Sequence, residues 1–290
     1  MIPTPAPRLF SPATLAGLAA ILLWGLLALL TAQTAGVPPF LLTALTFMIG
    51  GGAGFIWLVF RGRLALLKQP LTAWLLGVGG LFGYHAVYFA ALKAAPPAEA
   101  SLIAYLWPLL IVLFSGFLPG ERLKISHFFG AILGFGGVVL LAFSKGGFGG
   151  AGEAALFGYA LALLCAFIWA LYSVLSRHMA KVPTEAVVGF CLATALLAAI
   201  AHLALEPQGL PTSPAIWGAI ALLGLGPVGA AFFLWDIGMK RGDIRFLGVA
   251  AYAAPIISTL ALILAGRAEA SIALLIACAL IIGGAIIARV

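Results

Sequence analysis

Apolar residues run along this chain in long unbroken stretches, and polar residues gather in short clusters between them. Ten such stretches stand out, at 12–32, 39–60, 71–92, 98–118, 126–143, 154–176, 184–205, 213–236, 245–265 and 270–289. None shows the strict alternation of a membrane β-strand, and most approach the ~20 residues that a helix needs to cross a bilayer. A helix also satisfies its own backbone donors and acceptors, which hydrocarbon demands. Prolines and glycines punctuate the gaps, at Pro38-Pro39, Pro96-Pro97, Pro119-Gly120, Pro183, Arg241-Gly242 and Gly266. Such residues end helices and make turns, and most gaps are short, so consecutive helices should run antiparallel. The pattern predicts an all-α integral membrane protein of ten transmembrane helices.

Composition narrows the function. The chain is 64% hydrophobic and only 8% charged, where a soluble domain carries about 25% charged residues. Mean hydropathy is +1.21. A soluble enzyme is excluded, and ten spans leave no length for a separate soluble domain. The net charge of +7 comes from Lys and Arg scattered singly. They form no basic stripe to follow a phosphate backbone, so no nucleic-acid partner is expected. With the N-terminus in the cytoplasm, twelve of the fifteen cations fall inside and three (Lys93, Lys145, Arg267) outside. That bias is the positive-inside rule, and it places both termini in the cytoplasm. The first apolar run lacks a preceding basic region and continues at spanning length, so it is expected to remain as a span. Cys165, Cys191 and Cys278 lie inside apolar runs, and the four histidines are dispersed. Neither set has the spacing of a disulfide framework or a metal site, so no metal and no cofactor are expected. Trp57 and Trp74 flank the basic loop at 61–68, and Trp217 and Trp235 lie toward opposite ends of the eighth stretch. All four are expected in the interfacial aromatic belts.

The chain also matches itself. A shift of 145 residues lays Trp24 on Trp169, Val37 on Val182 and Pro38 on Pro183. A shift of 147 lays Lys93 on Lys240, Tyr105 on Tyr252, Pro108 on Pro255 and Gly136-Gly137 on Gly283-Gly284. The reading is a first five-helix repeat at 1–145, a Gly-rich joint at 146–152 and a second repeat at 153–290. Five is odd, so the second copy enters the membrane from the opposite side. Inverted repeats are a transporter signature, because one sequence then builds both an outward and an inward gate around a midplane site.

At these residues the chain resembles the drug/metabolite transporter superfamily, in its EamA-type ten-helix members. The resemblance is carried by LLWGLLALLTAQTAGVPP in the first half and FIWALYSVLSRHMAKVP in the second. It is carried further by GERLKISHFFGAILGFGGVVLLA and its counterpart GRAEASIALLIACALIIGGAIIA. Within the superfamily, ASLIAYLWPLLIVLFS and FGYHAVYFAALK are similar to the fourth and third helices of the aromatic amino-acid exporter branch. The resemblance covers nearly the whole chain. It implies a ten-helix inverted-repeat fold and export of amino acids across a bacterial inner membrane. Many relatives carry an Arg in the second helix, where this chain reads LLTALTFMIGG with Thr46. Any role of that Arg does not transfer.

A charge at mid-membrane is costly and marks function, yet the centres of most stretches hold none. Asp236 and Lys240, four apart, should pair near the end of the eighth stretch. Lys93 and Lys240 should snorkel to the interface, while their matched positions leave a gating role open. What the middle offers is aromatic. Trp24 and Trp169 lie deep in the first and sixth stretches, and Tyr84 and Tyr88 share a helix face with His85 beside them. Tyr105, Trp107 and Pro108 sit together in the fourth stretch. A buried Trp or Tyr is often only packing. Taken together, Trp24, Tyr84, Tyr88, Tyr105, Trp107 and Trp169 would wall a cavity for a flat side chain, with His85 as a polar contact. Gly80, Pro108 and Pro255 are the expected hinges or gates. The substrate class is then an aromatic or other apolar amino acid, moved by facilitated diffusion or exchange, by a chain expected to act as a monomer. The first stretch holds no acidic residue, which counts against the proton antiport of small multidrug carriers. Export of drugs or other metabolites is the alternative. A membrane enzyme is the rival from another class, and Asp236 and Asp243 do not supply the acidic cluster it would need. Two G-x-G-x-x-G matches, at 147–152 and 224–229, follow no strand and carry no nucleotide-binding reading.

Overall fold

A computed structural model of the chain describes residues 11–119, 123–144, 155–266 and 269–288. The expected joint at 146–152 lies outside these residues, as do Arg8, Arg122, Lys145, Arg267 and Arg289 of the charge count. Among the described residues there is no strand. The helices are α1 (Pro12–Gly25), α2 (Leu27–Thr31), α3 (Pro39–Phe60), α4 (Leu71–Ala94), α5 (Pro97–Ala104), α6 (Trp107–Ser115) and α7 (Ile125–Ser144). They continue as α8 (Leu156–His178), α9 (Ala186–Leu205), α10 (Pro214–Leu225), α11 (Ala231–Arg241), α12 (Ile244–Ala250), α13 (Ala253–Leu264) and α14 (Ile272–Ile287). Seven helical segments are long and apolar enough to cross a membrane: Pro12–Thr34, Pro39–Phe60, Leu71–Ala94, Leu156–His178, Ala186–Leu205, Pro214–Arg241 and Ile244–Leu264. Three shorter apolar helices lie at Glu99–Ser115, Ile125–Leu140 and Ile272–Ile287. Each falls on a predicted stretch.

Local chemistry sets the ends. Ser11 caps α1 by accepting from the Thr14 amide at 3.1 Å, with Pro12 in the first turn where no N–H is needed. The exposed first amides of α3, from Phe40 and Leu41, donate to the Glu206 carboxylate at 2.8 and 3.1 Å. A carboxylate at a helix N-terminus also meets the positive end of the dipole. Asp243 caps α12 through the Phe246 amide at 3.0 Å.

Four of the segments are broken: the first at Leu26, between α1 and α2, and two of the other three at prolines. The helix stops at Ala104 and resumes at Trp107; it stops again at Ala250 and resumes at Ala253. Pro108 and Pro255 each lack an N–H and each crowd the carbonyl four residues back, on Ala104 and Ala251. The breaks expected near these prolines therefore sit one turn before them. The last is a π-turn at Gly226–Ala230 between α10 and α11. By contrast α4 runs unbroken through Gly80. The missing side chain there is used for packing: a Cβ on Gly80 would lie 2.5 Å from the Tyr172 ring.

The most extensive pairings are α7 with α14, α3 with α9, α4 with α8 and α1 with α11. Each joins an element before residue 146 to one after residue 152. Small residues let these helices approach, as membrane interfaces require. A Cβ on Gly238 of α11 would lie 2.8 Å from the Gly17 Cα on α1. A Cβ on Gly50 of α3 would lie 2.6 Å from the Gly224 carbonyl and 2.7 Å from the Gly229 Cα. The second glycine motif thus supplies a helix crossing. Lipid-facing positions stay apolar, among them Phe60, Phe117 and Leu264.

Candidate functional site

Four tryptophans meet at the centre of the bundle. Trp24 of α1 packs on Trp107 of α6, Trp169 of α8 and Trp235 of α11, with ring centroids 6.2, 5.7 and 4.9 Å apart. Trp107 closes the group at 6.3 Å from Trp169 and 5.9 Å from Trp235. Edge-on and tilted contacts of this kind add about 0.5–1.5 kcal/mol per pair beyond the area buried. Two of the indole N–H groups are also satisfied. Trp24 donates to the Pro227 carbonyl in the π-turn at 3.1 Å, and Trp235 donates to the Ser173 hydroxyl at 3.1 Å. An α-helix would have offered the Pro227 carbonyl to its own backbone. The π-turn leaves it turned toward the cluster, a use to which π-bulges are often put at functional sites.

Against this cluster lies a cavity of about 420 Å³. All seven residues expected to touch substrate line it: Trp24, Tyr84, His85, Tyr88, Tyr105, Trp107 and Trp169. Tyr84 and Tyr88 stack with planes 14° apart, as their shared helix face allows, and Tyr84 leans on Trp169 at 5.2 Å. Tyr88 shares a 2.8 Å hydrogen bond with Ser101 of α5. His85 Nδ1 lies 2.7 Å from the Leu81 carbonyl. A carbonyl only accepts, so Nδ1 carries the hydrogen, and Nε2 of the neutral ring is an acceptor.

The structure adds residues that the sequence did not single out. Phe47 and Phe232 stack across the cavity wall at 5.3 Å, and Phe47 meets the His85 ring edge-on at 5.2 Å. Thr31, Thr43, Thr46, Ser101 and Ser258 add hydroxyls to those of the tyrosines. The Thr46 hydroxyl donates to the Leu42 carbonyl at 2.8 Å. Among the described residues no Asp, Glu, Lys or Arg lines the cavity.

Two sequence expectations need correction. Trp235 is 1% exposed and belongs to the central cluster, not to an interfacial belt. The helix carrying it extends to Arg241, beyond the predicted end at 236, which draws this indole inward. Trp57 and Trp217 keep substantial exposure, and the Arg61 guanidinium lies 5.8 Å from the Trp57 ring. Trp74 packs on Phe190 at 5.3 Å. Lys240 does not snorkel. It is 8% exposed and pairs with Asp236 at 2.8 Å, as the four-residue spacing predicted. Its Nζ also donates to the Val182 carbonyl at 2.9 Å, and Thr184 donates to Asp236 at 2.6 Å. Lys93 is exposed. Tyr252, matched to Tyr105 in the repeat, is fully buried and accepts from the Leu109 amide at 3.1 Å. It props the break before α6 and stays out of the cavity.

Residues 11–143 and 156–290 each match the EamA-like transporter family. The aromatic amino acid exporter YddG of Ancylobacter novellus is 60% identical over 280 residues, which cover 96% of this chain and 97% of that protein. The aromatic amino acid exporter YddG of Salmonella typhimurium is 26% identical, covering 85% of this chain and 86% of that protein. A solved crystal structure at 58% identity superposes with a TM-score of 0.91, covering 95% of this chain and 96% of that one.

Proposed function

Because the chain belongs to the EamA-like transporter family, we propose that it exports aromatic and other apolar amino acids by alternating access, through facilitated diffusion or exchange. One observation carries the substrate class: a 420 Å³ cavity walled by Trp24, Tyr84, Tyr88, Tyr105, Trp107 and Trp169. Flat π-faces suit an aromatic side chain, and the His85 and hydroxyl groups suit its polar end. Among the described residues no carboxylate lines the cavity to carry a coupling ion, which favours uncoupled movement. The names of the YddG relatives support the same substrate class.

In this reading ten helices span a bacterial inner membrane, as two inverted five-helix repeats with both termini in the cytoplasm, and a monomer suffices. The pairings support it: exchanging the two halves turns α4 with α8 into α11 with α1, and maps α3 with α9 and α7 with α14 onto themselves. The cavity then opens outward. Its lining includes Ala28, Thr31, Leu42 and Ser101, all on the outer halves of their spans. The inner end is shut beneath the tryptophans by Asp236, Lys240 and Thr184, and by Arg177, which donates to the Met239 and Gly242 carbonyls at 3.1 and 2.8 Å. The breaks before Pro108 and Pro255 let α5 and α12 tilt against α6 and α13, so they serve as the hinges. Lys93, at the position matched to Lys240, would latch the outer end in the opposite state.

Counterflow in proteoliposomes tests the reading. Vesicles loaded with unlabelled tryptophan should take up labelled tryptophan without an ion gradient, and phenylalanine and tyrosine should inhibit. Failure of uptake in vesicles where reconstitution is independently shown would overturn it.

A further inference from the structure

Several of the cavity's polar groups can only accept from a ligand. Thr43 and Thr46 donate their hydroxyl hydrogens to their own helix, to the Pro39 carbonyl at 2.9 Å and the Leu42 carbonyl at 2.8 Å. Each has only lone pairs left to offer a ligand. His85 spends its Nδ1 hydrogen on the Leu81 carbonyl and offers Nε2 as an acceptor. The Trp24 N–H is likewise spent, on Pro227. The aromatic faces around them carry the negative side of the ring quadrupole, which attracts a cation.

A carboxylate finds much less. No Lys or Arg lines the cavity among the described residues, so no charge-assisted donor awaits it. Broken helices commonly hold substrate carboxylates on their N-terminal amides. Here that device is largely used up. Pro108 and Pro255 have no N–H. The Leu109 amide is taken by the Tyr252 hydroxyl at 3.1 Å, and the Ala254 amide by the Ala251 carbonyl at 3.1 Å. The donors that remain for a carboxylate are all uncharged: the hydroxyls of Tyr84, Tyr105, Thr31 and Ser258 and the indole N–H groups of Trp107 and Trp169.

We propose that this cavity recognises its ligand through the ammonium group and the ring, so that aromatic amines lacking a carboxylate are ligands of the same site. The inference rests on the transport reading above and names a second substrate class for it.

Tryptamine and indole-3-propionate separate the two groups, since each keeps the indole and loses one charge. Each is added outside vesicles running labelled-tryptophan counterflow, strongly buffered on both sides. Tryptamine should halve uptake within about threefold of the concentration at which unlabelled tryptophan does, and indole-3-propionate should need at least about tenfold more. Thr46→Val, which keeps the shape and removes the lone pairs, should weaken tryptamine about threefold or more, and Thr46→Ser should restore it. Indole-3-propionate matching tryptophan, or tryptamine falling tenfold behind, would overturn the proposal. Should labelled tryptophan not be taken up at all, the transport reading fails separately. Thermal unfolding of the purified protein then decides this one: stabilisation by tryptamine and not by indole-3-propionate supports it, and any other result overturns it.

Discussion

The two ends of the bundle, divided by the Trp24, Trp107, Trp169 and Trp235 cluster, differ in how their polar groups are bonded. At the end holding Asp236 and Lys240, bonds run between distant segments. Lys240 of α11 reaches the Val182 carbonyl before α9, and Thr184 reaches Asp236. Arg177 of α8 caps the last carbonyls of α11, and Thr14 of α1 accepts from the Asp243 amide at 3.0 Å. At the cavity end the Phe40 and Leu41 amides reach Glu206 between distant segments, while the lining hydroxyls of Thr43 and Thr46 bond back to their own helix, and the Tyr88–Ser101 bond joins the consecutive helices α4 and α5. The same fold is thus cross-latched at one end and open at the other. Lys240 and Lys93 show the contrast most simply: matched in the repeat, one is buried in an ion pair and the other is exposed. An alternating-access carrier caught in one of its two states needs this asymmetry.

The comparison can be broken at the latched end with the largest effect. Lys240→Met leaves the Asp236 carboxylate buried and unpaired, which costs about 3–5 kcal/mol. A large fall in thermal unfolding temperature in detergent is expected, and adding Asp236→Asn should recover most of it. Gly238→Leu should come next. It drives a side chain into Gly17 where the backbones are closest, an overpacking cost of about 1–3 kcal/mol, read as a lower unfolding temperature with lost counterflow. Trp169→Ala removes contacts to Trp24, Trp107 and Tyr84, so counterflow per inserted molecule should drop about tenfold. Lys93→Met should be smallest, with no measurable change in unfolding temperature. A shift as large as that of Lys240→Met would remove the asymmetry.

Much of this was legible in the residues. Proline and glycine marked the helix ends because they act on the backbone itself, whatever surrounds them. That is why the start of α3 at Pro39 and the breaks near Pro108 and Pro255 were readable. The aromatic wall was readable because Trp and Tyr at mid-span stand out from an aliphatic run. Phe47 and Phe232 were not, since Phe is equally at home facing lipid or cavity. A helix apolar all round carries no signal of which face turns inward. Trp235 misled for a related reason. Its distance from the predicted helix end suggested an interface, and five further residues of α11 carried it into the core. Gly80 shows a similar ambiguity, because a glycine that lets a neighbour approach has the same sequence signature as one that bends.

The most direct test of the account is which side reaches which residue. Single cysteines are placed at Ala28, in the cavity lining, and at Ser173, beneath Trp235, in a protein whose Cys165, Cys191 and Cys278 have been replaced. Cells are then treated with a membrane-impermeant maleimide. The account predicts labelling at position 28 from outside and protection at 173. Protection at 28, or labelling of both positions in the same state, would contradict a single site with one end shut.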